Sequence, residues 1–136
     1  MTQTFDYTLN EEETKTEYID PLLRSLGWKT EGSVRLRKEY PITKGRLIGN
    51  GKREKPLKAD YILQYKNRNL PVIEAKAIHK YYTEGVGQAK DYAERLKIRF
   101  AYATNGDQIY FIDMETGEEK EGYSQSYNPS YDCWYT

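Results

Sequence analysis

Three residues near the middle of the chain, Asp60, Glu74 and Lys76, are the types that phosphodiester hydrolysis uses. That chemistry needs a hard cation, oxygen ligands and an activated water. Magnesium is usually held by one or two carboxylates, with water and phosphate oxygens completing its octahedron. The ion polarises the phosphate and lowers the pKa of its water, and a neighbouring lysine stabilises charge or orients the nucleophile. Residues two apart on a strand share a face, so Glu74 and Lys76 point together and Ala75 points the other way into a core. Asp60 falls on the preceding strand, within about one residue of opposite Glu74 across a hairpin. A connecting loop of even length would turn Asp60 to the wrong face, so the arrangement requires an odd loop, a bulge or a bend at Asp60.

The acid-x-Lys pattern occurs three times, at Glu13-Thr-Lys15, Glu74-Ala-Lys76 and Glu118-Glu-Lys120. The first lies in a polar helix start and the third beside a turn. Only Glu74-Ala-Lys76 interrupts an apolar strand, where charge is costly unless paired, bound to a metal or placed at an exposed strand end. The competing reading of these residues is a Glu74–Lys76 ion pair on an exposed strand face.

The elements that must position these residues follow from pattern. Asn10 and Glu13 form a capping box, and Tyr18, Ile19, Leu22, Leu23 and Leu26 have helical spacing, predicting a helix over Glu11 to Leu26 with Pro21 as a kink and Gly27 as a stop. Strands are predicted over Val34–Ile42, Ala59–Tyr65 and Leu70–Ala77, the last two a hairpin turned by Lys66 to Asn69. Gly45, Gly49 and Gly51 mark a long basic connection, expected to be mobile. Val86, Ala89, Tyr92, Ala93 and Leu96 predict a second helix. Strands at Phe100–Ala103 and Ile109–Ile112 flank the Asn105-Gly106 turn, and Thr116-Gly117 marks another. The order α-β-β-β-α-β-β predicts an α/β domain with a central mixed sheet flanked by helices.

The 136 residues suit a single domain. No apolar run approaches a membrane span, and Met1 to Tyr7 lacks the basic flank and apolar stretch of a signal peptide. The single cysteine, Cys133, has no partner for a disulfide and no Cys/His cluster for zinc. A reducing, cytoplasmic setting is therefore expected. Net charge is zero, but residues 28–68 carry twelve bases against four acids, whereas residues 107–136 carry seven acids and one base. The basic block suits phosphate contact, or simply solvates two strands and a loop.

Beyond the triad, the chain resembles a known family along most of its length. Asp60-Tyr-Ile-Leu followed by Val72-Ile73-Glu74-Ala75-Lys76-Ala77 resembles the PD-(D/E)xK nuclease core, with Ala59 at the family's proline-type position. Glu13-Thr14-Lys15, Ile19-Asp20-Pro21-Leu22-Leu23 and Gly27-Trp28 resemble the opening helix of type I restriction enzyme R subunits. Glu39-Tyr40-Pro41-Ile42 and Gly45-Arg46 resemble the next strand and loop. Gln88-Ala89-Lys90-Asp91-Tyr92 is similar to the QxxxY signature, Ala103-Thr104-Asn105-Gly106 to the following strand and turn, and Asn128-Pro129 to Trp134 to the exit segment. The resemblance implies a restriction-endonuclease-like core over residues 1–122 and an exit segment over 123–136 leading toward a motor region.

The resemblance further implies Mg²⁺-dependent cleavage of double-stranded DNA, with Mn²⁺ as a substitute. Asp60 and Glu74 would be metal ligands, Lys76 would position or activate water, and Gln88 would contact DNA or the metal site with Tyr92 packed nearby. Glu13 is a candidate third carboxylate, with Glu17 a competitor; its other reading is the capping box. Gly85 and Gly87 would let the second helix approach phosphate, or serve only as loop residues. His79 is not a catalytic candidate. Specificity and methylation subunits of a type I complex are the implied partners. ATP belongs only to the motor of full R subunits; this chain has no GxxxxGK[ST], and it is expected to be a fragment or a stand-alone relative. Two other readings stand beside this one: a nuclease of another repair or defence system on the same core, and a non-catalytic DNA-binding or interaction module.

Overall fold

The computed structural model describes residues 5–42, 47–48, 52–53 and 56–124. Its first element is the capped helix the sequence predicts. The Asn10 side chain accepts from the Glu13 N–H at 2.8 Å, and Glu13 accepts from the Asn10 N–H at 3.1 Å. The helix is not uniform: α1 (Glu11–Thr14) opens into a π turn at Lys15–Ile19 before α2 (Asp20–Ser25). Pro21 stands at the start of α2, where its missing N–H costs little. Gly27, at φ 90°, ends the helix in a conformation that suits glycine.

The strands are β1 (Val34–Pro41), β2 (Leu47–Ile48), β3 (Lys52–Arg53), β4 (Lys58–Tyr65), β5 (Arg68–Ala75), β6 (Phe100–Thr104), β7 (Gln108–Asp113) and β8 (Glu119–Tyr123). Six of them form one mixed sheet in the order β1-β4-β5-β6-β7-β8. Only β5 and β6 run parallel, and α3 (Val86–Leu96), after a 3-10 turn at Tyr82–Gly85, supplies the crossover that parallel neighbours need. Central β5 is covered on both faces, which explains its near-continuous apolar sequence. Ile73 and Ala75 pack with Ile19, Leu23 and Trp28 on the first-helix side. Val72 packs with Ala89, Tyr92 and Ala93 of α3 on the other.

The α/β class and the mixed sheet agree with the expectation. Two features were not anticipated. β8 closes the far edge with Glu-Lys-Glu-Gly-Tyr, a sequence too charged to read as a strand but suited to an exposed edge. β2 and β3 form a separate short ribbon within the glycine-rich connection. Gly45, Gly49 and Gly51 themselves, and the exit segment from residue 125 onward, lie outside the described residues.

A two-residue turn joins β4 to β5. Lys66 and Asn67 both have left-handed φ, 49° and 66°, and Tyr65 pairs with Arg68. This even loop alone would leave Asp60 on the wrong face. The register then shifts: Gln64 pairs with Asn69, but Ile62 pairs with Val72. Leu70 and Pro71 therefore stand opposite the single residue Leu63, as in a β-bulge. Pro71 has no N–H for the ladder, so the irregularity falls where a proline is tolerated. Beyond the bulge Tyr61 faces Ile73, which sets Asp60 opposite Glu74.

Candidate metal centre

At Asp60 and Glu74 the β4–β5 ladder gives way to side-chain bonds. The Asp60 N–H donates to Glu74 Oε2 at 2.8 Å, and the Ala75 N–H donates to Asp60 Oδ2 at 2.8 Å. Each carboxylate thus grips the backbone of the other strand, and the two converge at one end of the hairpin. Glu74 is only 3% exposed. Burial, reinforced by the Asp60 charge, pushes its carboxyl up from the ordinary 4.5 to about 8, and hydrogen bonding from Asp60 N–H with the charges of Lys15 and Lys76 only partly offsets this.

Lys76 is half-buried. Its N–H donates to the Thr104 carbonyl at 2.9 Å, which continues the pairing toward β6. Gly85 explains how α3 comes close: a Cβ there would lie 3.6 Å from Glu74 Cβ, 3.6 Å from Lys76 Cε and 3.5 Å from Ala103 Cβ. The start of α3 therefore rests directly over the Glu74–Lys76 face.

Gln88 and Tyr92 share one face of α3, and the Gln88 amide donates to the Tyr92 hydroxyl at 2.5 Å. With Glu39, Pro56, Leu57 and Lys58 they line a cavity of about 500 Å³. Lys58 lies two residues before Asp60 on β4, so one wall of the cavity belongs to the strand that carries this carboxylate. Glu13 is placed elsewhere: it is exposed and holds the capping box, outside the carboxylate cluster. Glu17 is exposed on the same helix.

Lys15 was missed as a site residue. Its ammonium donates to Asp60 Oδ1 at 2.7 Å. It also lies 3.2 Å from Glu12, 3.4 Å from Glu39 and 3.8 Å from Glu11. Burial pushes its pKa down, but the hydrogen bond and charge of Asp60, with Glu12 and Glu39, outweigh it and hold the ammonium well above its ordinary value. The clue in the sequence was position: Lys15 is four residues before Ile19 and eight before Leu23, and so sits on the buried stripe. Glu39 reaches the cluster from a left-handed backbone, φ 51°, between the pairs Lys38↔Tyr61 and Tyr40↔Ala59. Such strain in a non-glycine residue recurs at functional sites. Farther along the helix, Asp20 accepts from Tyr61 at 2.5 Å and from Lys38 at 2.6 Å, fixing the helix to β1 and β4.

The donor set fits a hard divalent cation. Two carboxylates converge, all their donor atoms are oxygen, and a cationic group already lies against one of them. Among the described residues no group of three or more His, Cys, Asp or Glu side chains is arranged to hold a metal ion. Two carboxylates, with remaining positions open to water or phosphate oxygen, would suit magnesium, which usually takes one or two carboxylates.

The six-stranded mixed sheet with helices on both faces makes this an α/β protein, and comparison with known proteins gives the family. A family model described as type I restriction enzyme R protein N terminus matches residues 10–126; the chain belongs to this family. It is 33% identical over 114 residues to the type I restriction enzyme EcoAI endonuclease subunit of Escherichia coli. That match covers 81% of this chain and 14% of the relative. A fragment structure of a type I restriction enzyme HsdR subunit from Vibrio vulnificus YJ016 is 37% identical, with a TM-score of 0.76. It covers 84% of this chain and 23% of that chain. The chain thus spans less than a quarter of either relative's length. Among the described residues no helix is long and apolar enough to cross a membrane.

Proposed function

We propose that this chain is the nuclease region of a type I restriction enzyme R subunit, cutting double-stranded DNA in a Mg²⁺-dependent reaction. The observation that carries the reading is the crossed pair of bonds between Asp60 and Glu74 and the opposite strand's backbone. These bonds orient both carboxylates, and preorganised ligands are what a catalytic cation needs.

Asp60 and Glu74 would hold the Mg²⁺, with Mn²⁺ able to replace it. The bound ion would polarise the scissile phosphate and stabilise the charge that develops there. Lys76, beside Glu74 under the start of α3, would orient the attacking water and stabilise phosphate charge. Gln88 and Tyr92 would line the groove that receives the DNA backbone. Buried Glu74 would lose its proton as the cation binds.

Sequence choice would lie with other subunits, since no described element resembles a base-reading helix. The proposed partners are DNA and the specificity and methylation subunits, with ATP consumed by the motor region of a full R subunit. The test is DNA cleavage by the assembled complex carrying an R subunit with this region. Wild type should cut, whereas Glu74→Ala and Lys76→Ala should assemble and translocate but not cut. Normal cutting by Lys76→Ala would remove it from the mechanism. A non-catalytic module would leave cutting unchanged in both variants.

A further inference from the structure

Lys15 lies in the metal centre proposed above, yet that chemistry gives it no task. It is a buried ammonium on the π turn, and its shortest contact is to Asp60 Oδ1 at 2.7 Å. The other Asp60 oxygen is held by the Ala75 N–H. Oδ1 makes no backbone bond and is the freer oxygen for a cation, and Lys15 takes it. Lys15 also has a second set of partners. Glu12 and Glu39 lie within 3.4 Å of the ammonium, and their side chains are 77% and 53% exposed, against 15% for Asp60. The ammonium thus stands between a buried carboxylate and two solvated ones. It can leave the first without becoming an unpaired buried charge.

We propose that Lys15 is a tethered counter-ion of the metal centre. It occupies Asp60 Oδ1 when no divalent ion is bound and transfers to the Glu12–Glu39 pair when one arrives. The inference rests on the reading of Asp60 and Glu74 as metal ligands. Its role is positioning: it keeps the Asp60 carboxylate in place in the empty site and sets a threshold concentration for metal entry. Two positive charges compete for one oxygen, so releasing Lys15 opposes metal binding. If Lys15 holds Oδ1 for about nine-tenths of the time, the apparent metal affinity is lowered about tenfold.

The test is Mn²⁺ titration calorimetry on this chain as wild type, Lys15→Met and Asp60→Asn, together with the ¹⁵Nζ resonance of Lys15, assigned by its loss in Lys15→Arg. The proposal expects Lys15→Met, folded by circular dichroism, to bind Mn²⁺ about tenfold more tightly than wild type. Equal or weaker binding overturns it and leaves only a structural role. In wild type, Mg²⁺ should shift the Lys15 ¹⁵Nζ resonance as the ammonium changes partner. Metal binding with an unmoved resonance overturns the proposal even if Lys15→Met fails to fold. Wild type that binds no metal, or Asp60→Asn that binds as wild type does, rejects the metal centre itself and this inference with it.

Discussion

Glu74 should make the metal-free protein less stable as pH rises, and Glu74→Gln should remove that dependence. The Glu74 carboxyl is displaced from the ordinary 4.5 to about 8, by burial first and by the Asp60 charge second. Between those values the folded protein holds a proton that the unfolded chain has released. Stability therefore falls with increasing pH across this window, the reverse of an ordinary salt-bridged carboxylate. One proton of difference is worth about 1.4 kcal/mol per pH unit. From about pH 5.5 to about pH 7.5, Glu74 should thus remove roughly 2 kcal/mol of stability. Glutamine keeps an oxygen to accept the Asp60 N–H, so the packing and that bond survive. Urea unfolding of both proteins at the two pH values isolates the term, because other titrating groups cancel in the difference. Wild type should lose roughly 2 kcal/mol more than Glu74→Gln over the interval. Parallel losses in the two proteins would refute the claim that Glu74 is held protonated.

With Mg²⁺ present the same group should act in the opposite sense. Metal binding needs the ionised carboxylate, so Mg²⁺ affinity, measured by calorimetry, should rise with pH up to about 8 in wild type and stay flat in Glu74→Gln. Gly106→Ala should destabilise the fold by about 1–2 kcal/mol, because Gly106 has φ 93° and an added Cβ would lie 3.0 Å from Tyr18 Cβ; chemical denaturation reads this. Asn105→Ala should cost about 1–3 kcal/mol. Its side chain donates to the Lys80 carbonyl at 2.9 Å and accepts from the Asp107 and Gln108 N–H groups at 3.0 Å each. Accelerated amide exchange at Asp107 and Gln108 would confirm the local cause.

Much of this arrangement was legible from residue types. The capping box at Asn10, the apolar stripes of the two helices and the apolar run of β5 each obey a local rule, and the structure follows them. The face-matching of Asp60 and Glu74 was legible only as a condition. The sequence required an odd loop, a bulge or a bend at Asp60, and the structure has the bulge, at Leu63 opposite Leu70 and Pro71. Pro71 was the available signal, since a proline inside a strand asks for an irregularity. β8 was hidden because an edge strand needs charge more than apolar content. Lys15 was hidden for a different reason. Its partners are 45 and 24 residues away at Asp60 and Glu39, and no local pattern encodes a contact made by tertiary folding.

The claim beneath all of this is that Asp60 and Glu74 jointly hold one divalent ion. Anomalous diffraction from crystals of this chain soaked in Mn²⁺ measures that directly. A manganese peak is expected within about 2.0–2.3 Å of an oxygen of each carboxylate, near Lys76 and beneath the start of α3. A saturated crystal with its manganese elsewhere, or with none at this pair, would contradict it.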